Sequence, residues 1–173
     1  MINPLSRLFL ALLLCIALPA AALADTKVAA VNINKLMEGA PQAQAASEDL
    51  KQRFAAREQA LLEERDQIKK LEERYKRDKD ILSKSEREKL EQEIRDRRRE
   101  FKRKSDEFTE DFSLARNEAL NKLQADVYKA IVDVAKRENY DLVVSESVLY
   151  ASKRVDITDK VLARLKELYQ QSH

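Results

Sequence analysis

One cysteine, one histidine, one glycine, three prolines and no tryptophan occur in 173 residues. Each shortage excludes something. So few Cys and His residues leave no cluster to hold a metal and no pair for nucleophilic catalysis, and no Gly-rich loop is present to cradle a phosphate. So little Gly and Pro cannot supply the tight turns of a multi-stranded sandwich or barrel. Neither sign of charge dominates: 33 basic residues against 31 acidic ones rule out a uniformly basic nucleic-acid binder. What abounds is Glu, Lys, Arg, Leu and Ala, with 37% of residues charged, which is the composition of long helices. The length suits one domain or two small ones. An enzyme is disfavoured, and no catalytic residue, metal ligand or cofactor is expected.

The first 24 residues read as an export signal. Arg7 is the only charge before Asp25, and an unbroken apolar run follows from Leu8 to Leu18. That run is too short for a comfortable membrane span. Ala22, Leu23 and Ala24 give the small-x-small pattern of a cleavage site, placing the cut after Ala24. Leu14 stands where a lipid-attachment motif at Cys15 needs a small residue, so Cys15 leaves with the signal. The mature chain then has no cysteine and must hold together by packing or association. Such a leader fits an exported protein of the bacterial envelope.

The mature chain divides into ends and a middle. Val28 to Ile33 is short, β-branched and apolar, and predicts a strand, followed by one helical turn over Lys35–Glu38. Gly39 suits a left-handed helix end and Pro41 a first helical position. From Gln42 to Asn139 there is no Gly or Pro, and Phe54, Leu61, Ile68, Tyr75 and Leu82 recur every seven residues. Leu90, Ile94, Phe101, Phe108 and Ala115 carry a similar stripe onward, a coiled-coil seam. Ser85-x-x-Glu88 and its neighbour Ser83-x-x-Glu86 both have the form of a capping box. A new helix starting there folds the middle into two antiparallel helices of about 40 and 55 residues, an arm roughly 60 Å long. A continuous, mildly kinked rod is the alternative. Beyond Asn139, Asp141–Ser145 and Val148–Ala151 predict two short strands. Thr158 then predicts the N-cap of a last helix, with Ile157 and Leu162 as a staple. The predicted architecture is mainly α with a small β body: residues 25–41 and 140–173 form the body and 42–139 the arm.

The small net charge is a cancellation. Residues 25–68 and 105–173 are net acidic, whereas residues 69–104 hold 16 basic and 10 acidic groups. On the hairpin reading that block is the arm tip, densest at Arg97, Arg98, Arg99, Lys102, Arg103 and Lys104. It is either a solvated helix face with partners three or four residues away, or a patch for an acidic chain or anionic surface.

The C-terminal run from Tyr140 to Val144, then Val148 to Ser152, then Val155 to Leu162 resembles the end of Skp/OmpH-type periplasmic chaperones. The signal, the opening Lys27–Asn32 strand and the long charged hairpin follow the same order. The resemblance implies a trimer in which strands of three subunits make a central β body and three helical arms surround a cavity, a jellyfish shape. It implies an ATP-independent holdase that keeps unfolded outer-membrane proteins from aggregating in the periplasm, with no catalytic residues. The family is also associated with basic arm tips that approach anionic membrane or lipopolysaccharide. Release without a fuel calls for many weak contacts, and Leu62, Phe101, Phe108 and Phe112 are the client-contact candidates, against ordinary seam packing for each. A structural spacer or adaptor of the envelope is the competing function. A nucleic-acid binder is weaker, because the basic run lacks interleaved stacking aromatics.

Overall fold

The computed structural model of this chain describes residues 26–146 and 148–172. The export signal lies outside the described residues. The elements run β1 (Val28–Ala30), α1 (Ile33–Gly39), α2 (Pro41–Asp78), α3 (Lys84–Arg137), β2 (Leu142–Val144) and α4 (Thr158–Gln171). The fold is mainly helical, with a long antiparallel hairpin of α2 and α3 set between two short strands.

β1 is shorter than the predicted Val28–Ile33 strand because Asn32 ends it. The Asn32 side chain accepts the Lys35 backbone N–H at 3.0 Å, which opens α1 with Ile33 already helical. Pro41 takes the first position of α2, where a missing N–H costs nothing. Gly39 differs from expectation. No described glycine has a positive φ, so Gly39 is not a left-handed cap. Its reason is space: a Cβ there would stand 3.1 Å from Leu162 Cδ2, across the contact of α1 with α4.

At the far end the chain reverses over residues 79–83, and the continuous rod falls away. Ser83, not Ser85, is the N-cap of α3. Its hydroxyl accepts the Glu86 N–H, and Glu86 in turn accepts the Ser83 N–H at 3.0 Å, closing the box. Ser83→Ala is expected to cost about 1 kcal/mol. Amide hydrogen exchange checks it: protection should fall first over Lys84–Glu88, and a uniform loss along the arm would contradict it. α2, at 38 residues, makes the arm about 57 Å long. α3 ends at Arg137 with Asn139 left-handed (φ 54°), and the Tyr140 N–H reaches back to the Ala135 carbonyl at 2.9 Å. This Schellman end turns the chain into β2.

The strands pair in parallel, Val28 with Leu142, Ala29 with Val143 and Ala30 with Val144. Parallel neighbours need a long connection, and here the whole arm is that connection. The predicted strand over Val148–Ala151 does not form, and Leu149 and Tyr150 are fully and largely exposed. Residues 155–157 take the third place instead. Ala30 N–H donates to Val155 O at 2.8 Å, Ile157 N–H donates to Ala30 O at 3.0 Å, and Ala30 bridges Asp156 in parallel. Because β2 already holds one edge of β1, the chain must travel to the other edge, and residues 145–154 are spent on that crossing.

Thr158 is likewise not the cap of α4 but its first helical residue; Ile157 is the cap. The Asp156 carboxylate does the capping, accepting the Thr158 N–H at 2.9 Å and its hydroxyl at 2.6 Å. The Thr158 hydroxyl oxygen in turn accepts the Asn32 N–H at 3.0 Å. The core gathers where all elements meet: Ala29, Val31 and Leu36 from the N-terminal end, Leu123, Val127, Ala130 and Val134 from α3, and Ile157, Val161 and Leu165 at α4. The arm therefore projects from a small, well-packed body.

Candidate functional site: the helical arm

Above the body the hairpin is held by a thin line of buried side chains. Phe54 and Ile68 on α2 and Leu90, Ile94 and Ala115 on α3 are the buried apolar residues of the arm. The widest contact is aromatic. Phe54 meets Phe108 and Phe112 edge to face, at centroid distances of 5.7 and 5.2 Å, while Phe108 and Phe112 stack at 6.0 Å. The Arg57 guanidinium lies over Phe54 and Phe108 at 5.9 and 5.7 Å and pairs with Asp111 at 2.7 Å. Toward the tip, the Tyr75 hydroxyl donates to Glu91 across the hairpin. That bond raises the Tyr75 pKa and lowers that of Glu91.

The four apolar client-contact candidates separate. Phe108 and Phe112 are half-buried in the aromatic cluster, Phe101 is half-buried further along α3, and Leu62 is exposed on α2. Residues one heptad apart share a face, so the stripe that marks an apolar position also sends it to the seam. Arg57 is the cross-hairpin partner the periodicity did not single out, whereas Tyr75 stands in the heptad stripe and adds a polar bond the stripe did not foretell. The only signal for Arg57 was its place one turn after Phe54.

The basic residues are not at the tip, which corrects the expectation. The turn is residues 79–83, whereas Arg97 stands about 20 Å and Lys104 about 30 Å from the start of α3 at 1.5 Å per residue. From Lys69 to Asp96 ten basic residues meet nine acidic ones, so the tip itself is almost neutral. The excess is a belt on the shaft: Arg97–Lys104 holds six basic residues and one acidic. Every one of the six is paired. Arg97 reaches Glu64 on α2 at 3.0 Å and Arg98 reaches Glu72 at 2.7 Å, across the hairpin. Within α3, Arg99 pairs with Asp96, Lys102 with Asp106 at 2.6 Å, and Lys104 with Glu100 at 3.6 Å. Arg103 sits between Glu100 and Glu107, whose hydrogen bonds raise its pKa further. Exposed pairs of this kind contribute at most about 1 kcal/mol, so the belt's cations can exchange their partners for other anions.

A parallel β body carrying one long, thinly packed helical hairpin defines a body-and-arm protein of the chaperone-like helical type. The family model described as outer membrane protein (OmpH-like) matches residues 27–165, and the chain belongs to that family. Among curated relatives, the chaperone protein Skp of Escherichia coli (strain K12) is 32% identical over 154 residues, covering 87% of this chain and 93% of the relative. Chaperone protein Skp of Photorhabdus luminescens is 30% identical over 154 residues, with 88% and 93% covered. The crystal structure of a putative outer membrane chaperone (OmpH-like) from Caulobacter crescentus superposes with a TM-score of 0.72 over 82% of this chain and 85% of the other. At 17% identity it speaks for the fold alone.

Proposed function

We propose that this protein is an ATP-independent periplasmic holdase that binds unfolded outer-membrane proteins between helical arms and keeps them from aggregating. The match to the OmpH-like family over residues 27–165 carries this reading. The chaperone relatives, aligned over nearly their whole length, support it. The arm's chemistry agrees with it. A slender hairpin with a thin seam and a surface of weak, exchangeable pairs offers many low-energy contacts. Such contacts allow release without a fuel, and several arms acting together raise avidity.

In this reading residues 25–41 and 140–173 are the body through which three copies associate. Val28, Leu142 and Val148 are part-exposed and Leu149 and Tyr150 stand open, a sheet face and segment that association would cover. Leu62, Phe101 and the free edges of Phe108 and Phe112 are proposed client contacts. The belt from Arg97 to Lys104 is proposed to meet acidic client segments, an anionic membrane surface or lipopolysaccharide. The leader ending at Ala24 directs the chain to the periplasm.

The test is an aggregation assay. A urea-unfolded outer-membrane β-barrel protein is diluted into buffer with the mature chain, and light scattering is followed. Scattering should fall to near baseline at a modest excess of assembled protein without ATP. Undiminished scattering at several-fold excess overturns the holdase and leaves an envelope spacer.

A further inference from the structure

We propose that the base of the arm carries a groove that takes up a short, extended, apolar segment of a non-native polypeptide. This rests on the holdase reading and names the place on the arm where the client is held. Below the phenylalanine cluster the seam loses its bulk. Ala45 and Ala46 on α2 and Ala115 and Ala119 on α3, with Leu50 and Leu123, floor an open groove of about 790 Å³ that ends at the last turn of α4. Where Phe54, Phe108 and Phe112 fill the space between the helices higher up, here the chain's own side chains leave it unfilled.

Two further observations ask for an occupant. The first is Gln42, which lines the groove: its Nε2 donates to the Leu165 carbonyl at 2.9 Å, while its Oε1 is buried with no donor. A buried acceptor left unpaired is unfavourable, and a small turn of the Gln42 side chain toward an entering main-chain N–H would satisfy it. The second is the rim. Glu118, Lys122, Asp126 and Lys129 make no ion pair among the described residues, although the charges of Arg97–Lys104 on the same helix all do.

The chemistry of the rim selects the occupant. With the Asp49–Arg53 pair on the opposite helix, the lining holds three acidic and three basic groups, which select for neither an anionic lipid nor a nucleic acid, both of which need one sign of charge. They suit the alternating N–H and C=O groups of a peptide main chain laid over an apolar floor. By itself the groove is too small to hold a subunit. The floor from Ala115 to Leu123 is about 12 Å long, which takes roughly four extended residues. A durable protein interface needs about 800 Å² from each partner. Four residues per arm bind weakly and leave readily, and several grooves on one assembly bind a long chain together.

Two measurements on the full mature protein decide it. A photoreactive benzoylphenylalanine in place of Lys122 on the rim is compared with one in place of Asp80, exposed in the turn and remote from every proposed client contact, using the urea-unfolded outer-membrane β-barrel protein as probe. Client crosslinks at 122 are expected several-fold above those at 80. Ala119→Trp, which fills the groove, should weaken client affinity about tenfold with unchanged far-UV circular dichroism. If that variant misfolds, the crosslinking comparison stands alone. Suppressed aggregation with no excess of crosslinks at 122, with crosslinks at 122 only to another copy of this chain, or with full affinity in a folded Ala119→Trp, removes the groove and leaves the holdase standing. Failure of the unaltered protein to suppress aggregation at all removes both.

Discussion

Phe54→Ala is expected to destabilise the arm by about 3 kcal/mol and to leave the body intact. Phe54 is 7% exposed and is the residue on which both Phe108 and Phe112 pack. Truncating a buried phenylalanine costs about 3–5 kcal/mol through lost transfer energy and the cavity left behind. The lower end applies here, because two helices with one seam can close partly over the gap. The change also removes one of the two rings under Arg57, leaving its contacts with Phe108 and Asp111 to bridge the helices at this level. Exposed, these cannot compensate. Hydrogen exchange followed by mass spectrometry is the measurement. Protection should fall in α2 around Phe54 and in α3 around Phe108 and Phe112, while Val127–Val134 keeps its protection. Equal loss in arm and body would mean that they unfold as one unit, contrary to the separation of the seam from the core. Phe54→Leu, keeping most of the volume, should recover much of the loss.

Thr158→Val should cost about 2–3 kcal/mol, felt in the body. The substitution keeps the shape and removes only the hydroxyl. Thr158 is fully buried, and its oxygen links two chain segments by accepting from Asn32 N–H while donating to Asp156. Without it, a part-buried backbone N–H and a carboxylate oxygen each lose a partner. The same bonds give a pH signature. The Thr158 hydroxyl, and then its N–H, hold the Asp156 carboxyl below its ordinary value, with Lys35 adding a smaller push in the same direction. A depressed carboxyl contributes stability that is present above its unfolded pKa and lost as pH falls through its folded one. Stability of the unaltered protein should therefore drop as pH falls below about 4, the ordinary range of an aspartate, and Thr158→Val should flatten that part of the curve. Urea midpoints across this range check it. An identical acid profile in the variant would show that the Thr158 bonds are not what holds the Asp156 carboxyl down.

Much of the arm was legible in the sequence because a helical hairpin is made of local interactions. Absence of Gly and Pro from Gln42 to Asn139, a seven-residue stripe and a capping box are each read within a few turns of chain, and the structure follows them. Choosing Ser83 over Ser85 as the cap was not legible, since both matches fit and the choice depends on where α2 runs out. The body was harder. Val148–Ala151 has the composition of a strand, yet it became the crossing between the two edges of β1, because edge positions in a parallel sheet are allotted by the whole topology. Thr158 has the character of a cap and lost that role to Asp156, because Asn32, distant in sequence, arrives beside its hydroxyl.

The charge shows the same division. By itself the sequence determined that residues 69–104 are net basic and that the chain is a long amphipathic hairpin, since composition and periodicity are properties of neighbours. Only the tertiary structure decided where that charge lies and whether it is free. Pairing α2 with α3 in register set Glu64 and Glu72 opposite Arg97 and Arg98, so the excess became a neutralised belt partway along the shaft, away from a turn of nearly zero net charge. The same pairing put alanines opposite alanines at the base and opened a groove beside Gln42. Register between distant segments is fixed by how their side chains fill a shared space, and that space exists only once the chain has folded.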